Sequence, residues 1–315
     1  MNADLAMWGA CCRAFATMPY RLARPRRPDR RLLASLTGSP RPLPPARATV
    51  ALTAFPQGLQ SAPTMAVAEG VLRPPVVTLA MTSWLVEHPR ARFLVDPALC
   101  ADVHDRVLPE LPRGLRTVVA PERPVAGLGA ALTEAGVAPE EIAFTLPTHL
   151  HWDHVSGLTE LPTGVEVRVL AGERRFALGP DRPPFGVARG PLRDVRFAEF
   201  ACDGPPVLTF TGSHDVFGDG SVLVVPLPGH TPGSVGVLLA LDGGRRVLLA
   251  GDAAWHGLQV SRLREKAPFP GDLVDADRDA AFATLHRLHA LPDDVEVVPA
   301  HDRAAATAFA PDTWR

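Results

Sequence analysis

The sequence predicts an α/β protein with two β-rich segments and helices between them. Short apolar runs that end in a turn recur along most of the chain, and such runs are typical of buried strands. Near the carboxyl end, Ala281, Leu285 and Leu288 recur at helical spacing instead. No short-period repeat is visible, so we expect one folded domain over residues 48–315 rather than a repeat array.

The elements follow from these patterns in chain order. The first half of the chain gives strands at 49–55, 76–87, 92–96 and 141–146, and helices near 99–109, 125–136 and 154–160. The second half gives strands at 165–170, 207–212, 221–225, 234–241, 245–250 and 295–299, and a helix at 275–290.

The N-terminal region differs in composition from the rest of the chain. The segment from Arg21 to Arg31 holds six arginines, and prolines crowd residues 40–45. Such a segment offers little apolar surface to bury. We therefore expect residues 1–47 to be a disordered tail, or to precede the true start of the protein.

Composition limits the classes of partner and compartment. Hydrophobic residues make up 46% of the chain, enough for a substantial core, and the net charge is −2. That charge implies no bulk attraction to nucleic acid or to an anionic membrane, and no apolar run is long enough for a transmembrane helix. The four cysteines (Cys11, Cys12, Cys100 and Cys202) have neither zinc-ribbon nor disulfide-framework spacing, so we expect a cytoplasmic protein.

Four side chains that can bind metal fall within the run from Thr148 to His154, directly after a predicted strand. His149 and His151 are two residues apart, so at a strand end they project to the same side. Asp153 and His154 are adjacent and therefore point in different directions. This geometry suits two neighbouring metal ions better than one.

Further ligand types follow later strands. His230, Asp252 and His301 each come after an apolar run and a turn. A buried strand gives a rigid base, and imidazole and carboxylate groups are the ligands that zinc and similar ions take. A carboxylate can bridge two ions, and Asp252 is the candidate for that role.

The chain resembles the metallo-β-lactamase superfamily. The resemblance is carried by the run from Thr148 to His154, Pro228-Gly-His-Thr-Pro-Gly-Ser, Ala250-Gly-Asp, Pro299-Ala-His-Asp and Phe93-Leu-Val-Asp, and it covers about residues 75 to 305. It implies an αββα sandwich with a dinuclear metal site at one edge.

The resemblance also implies a role for each ligand. His149, His151 and His230 would bind one ion, Asp153, His154 and His301 the other, and Asp252 both, while Asp96 would orient a ligand by a hydrogen bond. We expect two divalent ions, with Zn²⁺ preferred to Mn²⁺ or Fe²⁺.

Two ions a few ångströms apart can share a water and lower its pKa to about 7 or below. We therefore expect a hydrolase in which a bridging hydroxide attacks a small carbonyl ester or lactone, with Asp153 also carrying a proton. Three alternatives stay open: a thioesterase similar to glyoxalase II, a persulfide dioxygenase with one iron, and a metal-binding protein without catalysis.

The lactonase-like branch of the family is favoured by the stretch from Phe217 to His230. Known acyl-homoserine lactonases place a tyrosine three residues after the bridging aspartate, whereas this chain has Trp255 there. An indole donates through N–H but supplies no phenol. We expect Trp255, with His256 and Phe217, to face a small-molecule substrate, and a homodimer stays open.

Overall fold

The computed structural model describes residues 3–38 and 40–314, without the side chains of residues 3–6. Its strands form two sheets. They are β1 (Ala51–Pro63), β2 (Val76–His88), β3 (Ala91–Val95), β4 (Ile142–Thr145), β5 (Glu166–Leu170), β6 (Arg196–Phe200), β7 (His214–Asp215), β8 (Val222–Pro226), β9 (Val235–Ala240), β10 (Arg246–Leu249) and β11 (Val295–Val298).

The sheets follow the chain closely. The first has the order β1-β2-β3-β4-β5-β6, antiparallel from β1 to β3 and parallel from β3 to β6. The second has the order β11-β10-β9-β8-β7, antiparallel except for the parallel pair β10 and β11. Each β-rich half of the sequence therefore builds one sheet.

The helices are mostly short. They are α1 (Ala3–Ala23), α2 (Arg30–Thr37), α3 (Thr64–Val67), α4 (Val103–Arg106), α5 (Arg113–Val119), α6 (Leu128–Glu134), α7 (Trp152–Val155), α8 (Ala171–Leu178), α9 (Gly257–Arg262), α10 (Pro268–Val274), α11 (Arg278–His289) and α12 (Arg303–Thr307). Over the described ranges, none of them is both long and apolar enough to cross a bilayer.

The main core lies between the two sheets. Trp84 and Phe93 from the first sheet pack with Val237 and Leu249 from the second. The outer face of the first sheet is covered by α6 through Leu128 and Leu132, which pack with the strand residues Leu85, Leu94 and Val167. The outer face of the second is covered by α11 through Phe282 and Leu285. Burying both faces of both sheets produces the expected αββα sandwich.

The sandwich brings the predicted ligand loops to one edge. The run that begins at Thr148 follows β4, and His230, Asp252 and His301 follow β8, β10 and β11. Each strand is buried and hydrogen-bonded to a neighbour, so each loop starts from a fixed point.

Some predicted elements are wrong. Residues 207–212 do not form a regular strand: they contain an isolated bridge between Val207 and Phe210, and Leu208 has φ 51°. This left-handed conformation reverses the chain and interrupts an apolar run that otherwise has strand composition. Strand β6 was not predicted, because its half-buried residues lack a clear alternation. The helices α8, α9 and α10 were not predicted either.

The N-terminal region is also not as expected, because residues 3–23 and 30–37 form α1 and α2. Met7 and Ala10 of α1 are buried against Leu115 of α5 and Leu273 of α10. The expectation of disorder considered only local composition. These contacts are made with residues more than 100 positions away, which no local pattern reveals.

Arg21 explains why the arginine-rich segment is ordered. Its guanidinium lies 2.9 Å from a carboxylate oxygen of Glu69 and 2.6 Å from one of Glu265. Both carboxylates are buried, whereas 29% of the Arg21 side chain is exposed. Buried carboxylates need such partners, so the N-terminal segment supplies charge that the rest of the protein requires.

We expect Arg21→Met to destabilise the protein by roughly 1–3 kcal/mol, because two buried carboxylates lose a partner while the site is partly hydrated. Chemical unfolding measures the change. Arg24→Met, at an exposed position directly after the same helix, is the matched control and should change stability by less than about 0.5 kcal/mol. Equal stabilities for the two variants would contradict the anchoring role of Arg21.

Candidate metal centre

The run after β4 places its side chains through a loop and a short helix. His151 precedes α7, which carries Asp153 and His154, and Gly186 packs against His151 from another loop. Gly186 has φ +87°, and a Cβ there would lie 3.0 Å from the His151 ring. Only glycine fits both the conformation and the contact.

The seven predicted ligands come together in two adjacent groups. Within each group, the candidate ligand atoms all lie within 4.8 Å of one another. The first group is His149, His151, His230 and Asp252, and the second is Asp153, His154 and His301. All are buried except Asp153, which is partly exposed.

Asp252 lies between the two groups and directs one oxygen to each. Its Oδ2 is 3.1 Å from Nε2 of His230 and 3.9 Å from Nε2 of His149. Its Oδ1 is 2.9 Å from Nε2 of His301 and 3.2 Å from Nε2 of His154. This is the arrangement that a carboxylate bridging two cations requires.

The imidazole rings are fixed from behind. In four of them Nδ1 faces an outer polar group, so Nε2 turns toward Asp252. The pairs are His149 with Oγ1 of Thr148 (3.2 Å), His154 with Asp96 (2.9 Å), His230 with Asp275 (2.9 Å) and His301 with the carbonyl of Ala80 (3.0 Å). Outer partners of this kind select the tautomer and orientation of a metal ligand.

Asp96 also holds the histidine-bearing loop. It accepts hydrogen bonds from the amide and the hydroxyl of Thr148, at 2.6 and 3.0 Å, as well as facing His154. Its own φ is 50°, a left-handed conformation that a non-glycine residue adopts only at a cost. This conformation places the Asp96 carboxylate against Thr148 and His154, the two ends of the run.

Glu173 joins the ligand loops of the two sheets. Its buried carboxylate accepts from the amide of Leu150 at 2.9 Å, the hydroxyl of Thr231 at 2.6 Å and the amide of Gly233 at 3.2 Å. Burial raises the pKa of Glu173, and these three donors oppose that rise. The loops that carry His151 and His230 are thus tied to one side chain.

The pKa shifts of the five candidate histidine ligands differ in sign. Burial lowers the pKa of His149 and His151 well below the usual imidazole range, and neighbouring imidazoles lower it further, so both rings are neutral. Burial also disfavours charge on the other three rings, but nearby carboxylates outweigh it and raise the pKa of His154, His230 and His301. Burial would raise the pKa of Asp252, yet those three rings hold it well below its usual value.

These residues fit divalent ions. Nε2 atoms of His149, His151 and His154 are buried and make no hydrogen bond with any residue in the described part of the chain. Unpaired buried nitrogen atoms are costly, and neutral imidazole nitrogen is a good ligand for zinc-like ions. The carboxylates that raise the histidine pKa values also create a field that favours a cation.

A narrow cavity of about 60 Å³ opens onto the ligands. Its wall is mostly apolar and includes Leu79, Met81, Leu115, Val119, Trp152, Trp255 and Val274. Leu115, Val119 and Val274 also belong to the cluster that α1 covers with Met7 and Ala10. The N-terminal helix therefore backs one wall of the cavity.

Trp255 lies where the sequence predicted, and two other residues do not. The indole Nε1 donates to Oδ2 of Asp252 at 2.7 Å, and the ring lines the cavity. His256 instead caps α9, with its Nδ1 accepting from the amide of Leu258 at 3.1 Å. Phe217 stacks on His88, with ring centroids 3.8 Å apart, in the core between the sheets. Neither is among the residues that line this cavity.

Sequence reasoning missed Glu173, Asp275 and Lys266, which support the ligands. None lies in a recognisable pattern, and each acts on residues that are distant in sequence. Lys266 is the one lysine of the chain, but composition alone does not locate it in space.

A two-sheet sandwich with two adjacent groups of histidine and aspartate at one edge is the architecture of a metal-binding protein. Residues 78–301 match the family model described as the metallo-beta-lactamase superfamily, and the chain belongs to that superfamily.

The curated relatives each match only part of this chain. An N-acyl homoserine lactonase, AttM, of Rhizobium radiobacter is 28% identical over 57% of this chain, and the match spans 62% of its own length. A probable metallo-hydrolase of Mycobacterium tuberculosis is 32% identical over 54% of this chain and 58% of its own length. A hydroxyacylglutathione hydrolase of Aliivibrio fischeri is 28% identical over about half of each chain, 52% and 50% respectively.

Solved structures share the fold. A quorum-quenching N-acyl homoserine lactone lactonase superposes with a TM-score of 0.60 at 18% identity, covering 82% of this chain and 95% of that one. AidC, a dizinc quorum-quenching lactonase, gives a TM-score of 0.57 at 13% identity, covering 83% and 91%. At these identities the likeness concerns the fold.

We expect Asp252→Asn to reduce the metal content of the purified protein from two ions per chain to at most one. The amide loses the negative charge and turns an N–H₂ group toward one of the two groups, so affinity should fall by more than about 100-fold. Elemental analysis with a chelator titration measures both. Asp293→Asn, the same change at an exposed position, is the control and should keep both ions. Two tightly held ions in Asp252→Asn would exclude a bridging role.

We also expect metal removal to lower the thermal stability of the protein. An ion present at 100 times its Kd stabilises the folded state by about 2.7 kcal/mol, which corresponds to about 4 °C in Tm for a chain of 315 residues. Thermal melts before and after dialysis against a chelator measure the shift. Re-addition of Zn²⁺ should restore Tm and re-addition of Ca²⁺ should not, since imidazole ligands disfavour Ca²⁺. An unchanged Tm after removal of bound metal would count against the site.

Proposed function

We propose that the protein is a metal-dependent hydrolase with a dinuclear centre that acts on a small lactone or carbonyl ester. The observation that carries the proposal is the position of Asp252, with one oxygen toward each histidine group. A single ion would need only one of these groups. Both halves of the ligand set are present, which favours a two-metal hydrolase over the one-iron dioxygenase considered from the sequence.

The first ion would be held by His149, His151 and His230, and the second by Asp153, His154 and His301, with Asp252 shared. When bound, such ions lower the pKa of water in the site and polarise the carbonyl oxygen of a substrate. Zn²⁺ is the preferred occupant because the ligands are five imidazoles and two carboxylates.

Asp153 is the side chain placed to move a proton. Its Oδ2 lies 3.5 Å from Nε2 of His301 and 3.8 Å from Nε2 of His154, and the residue lines the cavity. Hydrolysis adds water to the carbonyl carbon, breaks the acyl C–O bond and transfers one proton to the leaving oxygen. The Asp153 carboxylate would accept that proton from water and return it to the alcohol.

The apolar wall supports a substrate with a hydrophobic group beside its carbonyl. Trp255, Leu79 and Met81 line the cavity together with the candidate ligands, and their apolar surface disfavours water there. The relative named as an N-acyl homoserine lactonase favours a lactone of this type. The relative named as a hydroxyacylglutathione hydrolase supports a thioester as the second candidate.

A substrate panel under matched metal loading tests the proposal. We expect turnover of small lactones or aryl esters, and weaker turnover of S-acyl glutathione and phosphotriesters. Trp255→Tyr introduces a phenol beside Asp252 and should preserve or raise activity on acyl-homoserine lactones. Trp255→Phe keeps an aromatic ring without a donor and should not.

Two outcomes would change the conclusion. Turnover of a thioester alone would replace the lactone as substrate but leave two-metal hydrolysis in place. One iron per chain with no hydrolysis of any substrate would contradict the proposed class.

A further inference from the structure

Lys266 lies behind the first metal group and outside the cavity. It is the one lysine of the chain and is 2% exposed. Its Nζ lies 2.9 Å from Oδ1 of Asp275 and 3.0 Å from the main-chain carbonyl oxygen of Asp252. It also lies 4.9 Å from the centre of the Trp255 ring, within the range of a cation–π contact.

Asp275 connects Lys266 to the candidate metal ligand His230. The same Oδ1 that faces Lys266 lies 2.9 Å from Nδ1 of His230. A carboxylate acceptor at this distance keeps the proton on Nδ1 and leaves Nε2 free to bind a cation. The ammonium fixes the position of that carboxylate, which is 2% exposed and whose other cationic partner, Arg278, lies farther away at 4.0 Å.

The second contact reaches the bridging residue directly. By donating to the carbonyl of Asp252, Lys266 fixes the backbone from which that carboxylate projects. One side chain therefore supports two of the four members of the first group, His230 through Asp275 and Asp252 through its own main chain. Its link to the second group is less direct, because it runs only through Asp252, whose Oδ1 faces His154 and His301.

The segment around Lys266 is held independently of the ligands. Glu265 is paired with Arg21 at 2.6 Å and with Arg278 at 3.0 Å, and the amide of Ala267 donates to Ala66 at 3.0 Å. The side chain of Arg278 also donates to the carbonyl of Lys266 at 2.6 Å. The backbone of Lys266 is thus held from both sides, including by Arg21 of the N-terminal helix.

We propose that Lys266 is a positioning residue that fixes His230 and Asp252 for the first metal ion. The inference rests on the dinuclear centre proposed above. It concerns the affinity of one ion and not the chemistry of the substrate.

Electrostatic repulsion alone predicts the opposite effect of Lys266 on metal affinity. An ammonium near a divalent ion repels it, so removal of Lys266 should strengthen binding if charge alone mattered. The carboxylate of Asp275 is in direct contact and offsets that charge. We therefore expect the loss of orientation to exceed the relief of repulsion.

The test is a chelator competition that resolves two dissociation constants per chain, with Co²⁺ spectra as a second readout. Lys266→Met should weaken binding of the first ion by about 10–100-fold, the range for losing an outer partner. Binding of the second ion should weaken clearly less, because only Asp252 connects that ion to Lys266. The Co²⁺ spectrum should change mainly for the first ion. Arg264→Met, two residues away and half-buried, is the matched control and should leave both constants unchanged.

A double variant distinguishes the positioning role of Lys266 from a purely structural role. Lys266→Met with Asp275→Asn removes both buried charges, so it should recover most of the thermal stability lost by Lys266→Met. The weak binding of the first ion should persist, because His230 still lacks a fixed carboxylate. Recovery of affinity together with stability would overturn the positioning role.

The remaining outcomes are decisive too. Unchanged or stronger binding in Lys266→Met overturns the inference, whereas a wild-type protein that binds fewer than two ions contradicts the dinuclear proposal instead. If Lys266→Met does not fold, Asp275→Asn alone decides. Selective weakening of the binding of one ion supports the positioning role, and unchanged binding refutes it.

Discussion

The buried carboxylate of Asp252 is the constraint around which the site is organised. It is 4% exposed and lies within 4 Å of four imidazoles, so its charge must be balanced inside the protein. Without a cation, the protein balances it by raising the pKa of His154, His230 and His301. Divalent ions satisfy the same demand with ligand bonds in place of protons. The arrangement is therefore stable only where the surrounding residues keep the rings from moving apart or reaching water.

That rigidity comes from side chains that connect distant loops. Asp96 fixes the run after β4, Glu173 joins it to the loop after β8, and Lys266 joins Asp275 to the backbone of Asp252. Each of these charged groups is buried, and each has several hydrogen-bond partners. Such groups add little to stability compared with apolar residues, but they restrict the loops to one arrangement. Burying these charged groups costs free energy, but it holds the site in one geometry.

One wall of the cavity is backed by a helix that the family match does not include. The matched region begins at residue 78, whereas α1 lies before it and packs behind Leu115, Val119 and Val274. These residues face α1 on one side and the cavity on the other. The N-terminal segment is thus coupled both to the substrate side of the site and, through Arg21 and Glu265, to the segment that carries Lys266. A change in α1 would reach the cavity without touching a ligand.

The sequence by itself predicted the candidate ligand set, and it determined the alternation of strands and helices and the expected sandwich. His149, His151, Asp153 and His154 are close in sequence, and the other ligands directly follow strong apolar runs, so local patterns suffice to find them. Only the tertiary structure decided the N-terminal helices, the interrupted run at 207–212 and the support from Glu173 and Lys266. Each of these depends on a contact between residues far apart in the chain, or on a backbone angle that composition does not encode. A local pattern records which side chains can bind a metal, whereas the fold decides which buried charges hold them in place.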